Sequence, residues 1–495
     1  MRCLDRDIRN RRLPPSCRGG VVSALLALGI GAAPAAAGAV EFDFSGDISL
    51  EGRYFYNDPA FDEQFEGESF ALSLEPEFSW EWEESNQRVI FVPFGRVDQH
   101  DDERTHADIR ELYWHKSGDI YEARVGIRKV FWGVTESIHL VDIINQDDFV
   151  ENTDGEDKLG QPMLNLALVS RDWGTVDFFL MPYFRERTLP GEEGRLRGQL
   201  PFDDSDPIYE DSDEEQHLDG AARWFKSIGS FDVGLSWFRG TGRDPRFTFD
   251  ADGFAVSGVP GPPITLPGPL AGAVDPAILA PIFGAPDLSA VRITPINPVL
   301  VPIYDQIEQA GLDVQFTSGS WLLKLEAIHR SRETEDFVSA AAGFEYTFYG
   351  VFGSDIDVGA VGEYLYDNRG KLPSDSVQAT ALRGFERGFF TLDEITELQT
   401  AGPDTFDPTY SPFDDDVFIG TRLGFNDVQG TQFIGGFIVD THDHSLLGTV
   451  EASRRIAEGW TAAIEARWFN NIDVLNPLYG VAEDDYIQIE LSRFF

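Results

Sequence analysis

Two neighbouring stretches of the 495-residue chain carry charged side chains at a spacing that can act on a solute. In Tyr121 to Arg128, apolar Tyr121, Ala123, Val125 and Ile127 alternate with Glu122, Arg124, Gly126 and Arg128. A period of two is that of a strand with one apolar face, so Arg124 and Arg128 leave the same side. The following stretch, 132–162, carries Glu136, Asp142, Asn145, Asp147 and Asp148. Cations on a wall facing anions on a loop set up a transverse field, which is how a water-filled pore selects solutes. The plainer alternative is that Arg124 and Arg128 pair with loop carboxylates and hold the loop in place. Covalent chemistry has no visible carrier. The chain has no Gly-x-Ser-x-Gly elbow, no Walker sequence and no His-Glu-x-x-His. Asn152-Thr153-Asp154-Gly155 looks like part of a Ca²⁺ loop, but Val150 and Gln161 occupy its first and twelfth positions, which rules out an EF-hand. His442-Asp443-His444 reads as a polar corner in a tight turn. The expectation is no enzyme, no catalytic residue, no metal ligand set and no cofactor.

The elements that position these residues are strands. From Glu41 onward the chain falls into alternating segments separated by turns. Strands are expected near 41–56, 68–83, 87–99, 106–117, 120–131, 163–171, 174–184, 217–227 and 230–241. The second half adds 305–318, 320–333, 336–350, 354–368, 412–426, 429–442, 444–457, 460–472 and 483–495. Short and long connections alternate, and the longest are 132–162, 185–216, 242–304 and 369–411. Trp237, Trp321, Trp460, Trp468, Tyr364 and Tyr366 stand at segment ends, where aromatic girdles of a membrane barrel lie. The fold class expected is all-β, a transmembrane antiparallel up-and-down barrel. Eighteen strands are expected (sixteen if one segment has been divided wrongly), with short periplasmic turns and long outer loops. By alternation Glu51, Arg53, Lys324, Glu326, Glu363, Glu451, Arg455, Glu465 and Arg467 point into the lumen. Val89 to Phe94 is ambiguous, because both of its faces are apolar.

Composition agrees with that architecture. Phe 39, Tyr 14 and Trp 10 are high, Met 3 is low, and the mean hydropathy of -0.22 is what alternating strands produce. Beyond the N-terminus no apolar run is long enough to span a bilayer as a helix. Residues 1–37 read as a cleaved signal peptide, with six Arg ahead of an apolar Val21 to Ile30 and small Ala35, Ala36 and Ala37 for cleavage. Both cysteines, Cys3 and Cys17, lie in it, so the mature chain has no thiol. Cleavage removes six Arg with Asp5 and Asp7, which takes the net charge from -46 to -50. That excludes nucleic acid as a partner. No energy-coupling segment or plug is visible between the signal and Glu41, which favours passive passage.

The long loops differ in chemistry. Residues 250–304 are rich in Pro, Gly and Ala and cannot pair as central strands. They read either as a cover over the mouth or as a loose outer loop. Asp203 to Glu215 and Asp414 to Asp416 are acidic runs, solvated faces or structural Ca²⁺ sites. The last strand places Ile487, Ile489, Leu491 and Phe495 toward lipid and Tyr486, Gln488, Glu490 and Ser492 inward. It resembles the terminal strand recognised by the barrel-assembly machinery, with Arg493 departing from the apolar residue usual third from the end.

Three stretches also resemble a family. They are Ile109-Arg110-Glu111-Leu112-Tyr113-Trp114, Arg124 to Gly133, and Val141-Asp142-Ile143-Ile144-Asn145-Gln146-Asp147-Asp148. Together they are similar to an uncharacterised porin-like family of Gram-negative outer-membrane barrels with an R-E-L-Y, G-R-Q-x-x-x-W-G and D-x-x-N-P-x-D series. Here Ile127-Arg128-Lys129 stands for Gly-Arg-Gln, and Gln146 replaces the proline. Met181-Pro182-Tyr183-Phe184 and Leu189-Pro190-Gly191 also fit, so the likeness covers residues 106–191. The resemblance implies a transport-type barrel, for hydrophobic compounds in some relatives. As in many porins, it also implies that the third outer loop, 132–162, folds inward to narrow the pore. The function expected is a porin-like channel in the cell outer membrane for small molecules. Its partners would be outer-membrane lipid and lipopolysaccharide, the assembly machinery through Phe495, and the solute. The alternative is a structural or adhesive barrel, filled by its own loops, with an acidic Ca²⁺-binding exterior.

Overall fold

The computed structural model describes residues 40–258, 264–267, 290–333, 335–401, 411 and 413–495. The expected signal peptide lies outside the described residues, as do 259–263 and 268–289 of the proline-rich loop. In chain order the wall strands are β1 Glu41–Phe55, β2 Glu68–Trp82, β3 Gln87–Asp98, β4 Ala107–Ser117, β5 Tyr121–Arg128 and β6 Gln161–Ser170. They continue as β7 Gly174–Met181, β8 Asp219–Ile228, β9 Phe231–Thr241, β10 Gln306–Ser318, β11 Trp321–Arg332 and β12 Asp336–Phe348. The last six are β13 Asp357–Asp367, β14 Asp415–Gly424, β15 Gln432–Asp440, β16 Leu446–Ala457, β17 Trp460–Asn470 and β18 Tyr486–Phe494. Each pairs antiparallel with its sequence neighbours in one 18-stranded sheet, and β1 also pairs with β18. The sheet is therefore a closed barrel, and the count is eighteen, not sixteen.

Alternation decides the two faces. Leu72 is 52 % exposed and its neighbour Ala71 is 3 % exposed, and the same contrast recurs around the wall. The outer face carries aliphatic and aromatic side chains in an exposed band. Trp173, Trp321 and Trp460 stand near the short-turn end, and Tyr54, Trp237, Tyr364 and Tyr366 near the long-loop end. The inner face carries Glu51, Arg53, Glu326, Glu363 and Arg467, all buried. The ambiguous Val89 to Phe94 resolves by a register shift at Val92/Pro93, and Ile90 and Val92 pack with Tyr113 on the inner face. Arg493 lies outward over the Trp460 ring, and its Nη1 donates to the Gly459 carbonyl at 3.0 Å. A charged head that turns to polar groups at the rim is compatible with an apolar outer band.

Two long connections hold more structure than a loop. In 242–305, Arg246–Asp250 pairs with Val299–Tyr304, which also takes Ile208–Tyr209 in parallel. Gly253–Ser257 pairs with both Ile264–Pro267 and Arg292–Ile296. In 368–414 there are two helices, α1 Val377–Arg387 and α2 Leu392–Ala401. Ser376 caps α1 by accepting from the Ala379 amide, and Gly388 at φ 73 ends it. Phe254, Val256 and Ile293 pack with Phe390, Ile395 and Leu398 in one apolar cluster at the long-loop end. The acidic run at 414–416 is drawn inward, where Asp414, Asp416 and Asp440 are buried together and Lys371 reaches Asp440 and Asp443. His442-Asp443-His444 is a polar corner, with the His442 and Asp443 amides both donating to Asp440 Oδ1.

Gly126 tests the wall. It sits in β5 at φ +137, a conformation L side chains rarely adopt, and a Cβ there would lie 2.1 Å from the Leu112 carbonyl oxygen. Gly126→Val should therefore abolish the compact, heat-modifiable band on unboiled gels. Gly95→Ala, where a Cβ meets nothing within 4 Å, should retain it.

Candidate constriction site

The loop between β5 and β6 runs over residues 129–160, three residues earlier than expected at its start. The strand stops at Arg128 because Glu111 takes the Lys129 amide and Asn145 takes the Val130 amide. Asn145 Oδ1 accepts from Val130 N at 2.8 Å, and its Nδ2 donates to the Arg128 and Leu159 carbonyls at 2.8 Å. One carboxamide thus ties the start, middle and end of the loop together. Asp142 Oδ1 accepts from the Trp132 and Gly133 amides, the latter at 2.9 Å. These bonds aim Val130, Trp132, Val141, Ile143 and Ile144 at the inner wall. There they bury Met163, Phe179, Met181, Ala221, Phe238, Ile307, Ile328 and Phe337 in one apolar cluster. Without the loop those wall residues would line an aqueous lumen, and burying each such side chain is worth about 1.5–3 kcal/mol.

Two wall carboxylates then fix the loop's leading edge. Glu326 on β11 accepts from the Val134 amide, from Thr135 N at 3.0 Å, from Thr135 Oγ1 at 2.8 Å and from Val141 N at 3.1 Å. Glu363 on β13 accepts from Glu136 N at 2.8 Å and Ser137 N at 2.9 Å, and from the Ser137 hydroxyl. Converging backbone amides make an anion-binding concavity, and here the anion is a side chain of the wall. Between these anchors the Glu136 carboxylate reaches Lys324 of β11 and Arg422 of β14. His139 Nε2 lies 2.6 Å from Glu156 within the loop. Burial lowers the His139 proton affinity, but Glu156 and Glu326 outweigh it and raise the pKa to about 10, so the ring is charged at neutral pH.

The loop's second arm reaches the opposite side of the barrel. Asp147 pairs with Lys158 and, at 2.8 Å, with Arg187. Asp148 pairs with Arg110 of β4 and accepts from Thr188 Oγ1 at 2.7 Å. Burial opposes its ionisation, yet His106, Arg110 and Thr188 hold it well below the usual carboxylate range. Glu151 meets Arg96 of β3 at 2.6 Å, and Asp154 meets Arg467 of β17 at 2.7 Å. What remains beside the loop's free edge is a recess of about 310 Å³, lined among others by Arg422, Gln432, Glu451, Glu465 and Glu490.

The candidates named from sequence therefore separate. Glu136 stands at the free edge against cations of two far strands. Asp142 and Asn145 are spent on backbone inside the loop, while Asp147 and Asp148 are spent on Lys158, Arg187 and Arg110. Arg124 and Arg128 face the lumen, but neither pairs with a loop carboxylate among the described residues. Both donate to Asn165 Oδ1, at 3.2 and 3.1 Å, and Arg124 also pairs with Glu122. The expected opposition of these arginines to Asp142, Asp147 and Asp148 does not form, because the loop's own amides and other cations take those carboxylates first. The spaced series in the sequence is a folding clamp, joining Arg110 to Asp148, Glu111 to the Lys129 amide and Asn145 to the Arg128 carbonyl. Alternation placed Lys324, Glu326 and Glu363 in the lumen, but their partners on the loop are 188 to 227 residues away.

Glu326→Ala leaves at least three loop amides without an acceptor. Charge-assisted hydrogen bonds contribute about 1.5–3 kcal/mol each, so losing three costs about 4.5 kcal/mol of local stability at the lower end. Hydrogen exchange over residues 133–141 should accelerate by about 1,000-fold, with the wall strands unchanged.

No family model matches the chain, and no curated protein matches it. Among solved structures, a BenF-like porin from Pseudomonas fluorescens Pf-5 aligns over 92% of this chain and 98% of its own, with 8% identity and a TM-score of 0.45. OccK3 (OpdO) of Pseudomonas aeruginosa aligns over 92% and 96%, with 9% identity and a TM-score of 0.43. A variant of the Rh. blastica porin aligns over 92% and 100%, with 10% identity and a TM-score of 0.38. The barrel itself stands on the strand register and its closure, not on these likenesses.

Proposed function

We propose that the chain is a channel of the bacterial outer membrane that lets small solutes pass without energy coupling, through a lumen narrowed by the 129–160 loop. The observation that carries this reading is the inversion of polarity across one closed wall. Its outer face is an apolar band edged by aromatic side chains, and its inner face is charged and crossed by a docked loop. Closure satisfies the backbone ladder of every wall strand within the barrel, which a lipid-exposed sheet requires. The charged edges of the recess favour small hydrophilic solutes. The role with hydrophobic compounds implied by the resemblance has its support in apolar inner-face side chains such as Ile90, Val92 and Tyr113 and in Ile434 beside the recess.

In this reading the short turns face the periplasm, the long loops face outward with lipopolysaccharide around them, and the last strand is the handle for assembly. Phe495 lies on the outer face, its ring 5.4 Å from Phe44 and its amide donating to the Gly46 carbonyl. Deleting Phe495 should lower the amount of folded barrel in cells several-fold and leave refolding into detergent intact. Equal cellular amounts would remove the terminal residue from the assembly signal.

Planar-bilayer recording tests the channel directly. Purified folded barrel should give stepwise conductance, whereas a silent but folded barrel sinks the channel in favour of a structural or adhesive one. Glu136→Gln should shift the reversal potential toward anions, and Arg124→Ala with Arg128→Ala should shift it toward cations. Unaltered selectivity in a folded variant removes that residue set from the filter.

A further inference from the structure

We propose that His106, Asp148 and Glu151 form a binding site for one divalent transition-metal ion, of which zinc is the best fit. The site lies at the long-loop end of the barrel wall. His106 closes the loop between β3 and β4, and both carboxylates come from the 129–160 loop. The imidazole Nδ1 lies 3.2 Å from the Arg104 carbonyl oxygen. A carbonyl only accepts, so Nδ1 carries a proton and Nε2 is left facing the two carboxylates, where it takes either a second proton or a metal ion. A backbone carbonyl that fixes the tautomer in this way is the usual outer partner of a metal-bound histidine.

The spacing separates a metal from a hydrogen bond. His106 Nε2 is 3.7 Å from Asp148 Oδ2 and 3.6 Å from Glu151 Oε1. Both distances are too long for a hydrogen bond. Zinc holds nitrogen and oxygen donors at about 2.0–2.2 Å, so donors at two corners of its tetrahedron stand about 3.4 Å apart. The two separations from His106 exceed that spacing by only about 0.3 Å, and the two carboxylate oxygens lie within 4.8 Å of each other. Nε2 of His106 and Oε1 of Glu151 are both buried and have no hydrogen-bond partner among the described residues. Glu151 itself is 8 % exposed. A ring nitrogen aimed at two carboxylates calls for a cation there, a proton or a metal ion.

The surroundings hold the donors rather than replace them. Glu151 Oε2 is held by Arg96 at 2.6 Å, Asp148 Oδ1 accepts from Thr188 at 2.7 Å, and Arg110 lies against Asp148 Oδ2. The two guanidinium groups weaken the site relative to three free donors, and water supplies the remaining position. A proton is the competitor. Burial lowers the His106 pKa, but Asp148 and Glu151, opposed by Arg110, raise it overall, so metal binding should weaken as pH falls.

The test uses the full chain, folded in detergent, stripped with a chelator and dialysed against zinc. Zinc per chain should exceed by one equivalent that of His106→Gln and of Glu151→Gln, with the compact gel band showing each variant folded. Equal zinc in the wild type and the folded variants, or none in any, overturns the site. Should neither variant fold, cobalt(II) on the wild-type protein decides. Intense visible bands of a four- or five-coordinate ion support the site, and the spectrum of hydrated cobalt overturns it.

Discussion

Everything in this molecule depends on one line of backbone hydrogen bonds, the ladder that joins β1 to β18 from Asp47↔Phe494 to Phe55↔Tyr486. Until it forms, the sheet has two free edges, and unpaired edges are open to pairing with other chains or, in lipid, unsatisfiable. Once it forms, simple alternation becomes a division between outside and inside. The same step makes one closed wall of the described strands, against which the buried apolar clusters pack.

Closure leaves an interior that must be filled or wetted, and the protein does both. On the side of β6 to β12 the inner wall carries a large apolar patch, and the loop at 129–160 covers it. Glu326 and Glu363 receive that loop through its amides, so these wall charges act as acceptors for backbone and not as free charge in the lumen. Most lumenal charges are committed in this way, to a loop, a turn or an opposite charge. In the proposed channel, the field on a solute is then set by the Glu136 cluster with Lys324 and Arg422 and by the lumenal Arg124 and Arg128, and not by the sum of charged residues.

The wall was legible because its signal is local. Each strand shows its own period of two, and Trp237 or Ile489 declares its face within a few residues. Even Val89 to Phe94 was recognised as unusual, since no alternation can describe a strand that is apolar on both sides. The two helices were missed for a different reason. Ser376 and Gly388 are ordinary cap residues, but the stripe between them, Val377, Ala381 and Phe385, is two turns long, too short to stand out within a long connection. The site was half legible. Asp142, Asn145 and Asp148 stood out by spacing, but spacing does not say whether a carboxylate faces solute or an amide of its own loop. Nor could it join His106 to Glu151, whose meeting depends on where the loop lies across the barrel.

The third loop is written early in the chain, yet what holds it is written late. Its bonds to Glu326, Glu363, Arg422 and Arg467 span sequence separations of 191, 226, 286 and 313 residues. Half of its resting place is made by strands written long after it in the chain. Its full set of bonds therefore cannot form until β17 stands in the wall. A barrel short of that state would carry the loop as a loose tether, and a wall defect near the end of the chain would show itself as a fault in a segment near its beginning.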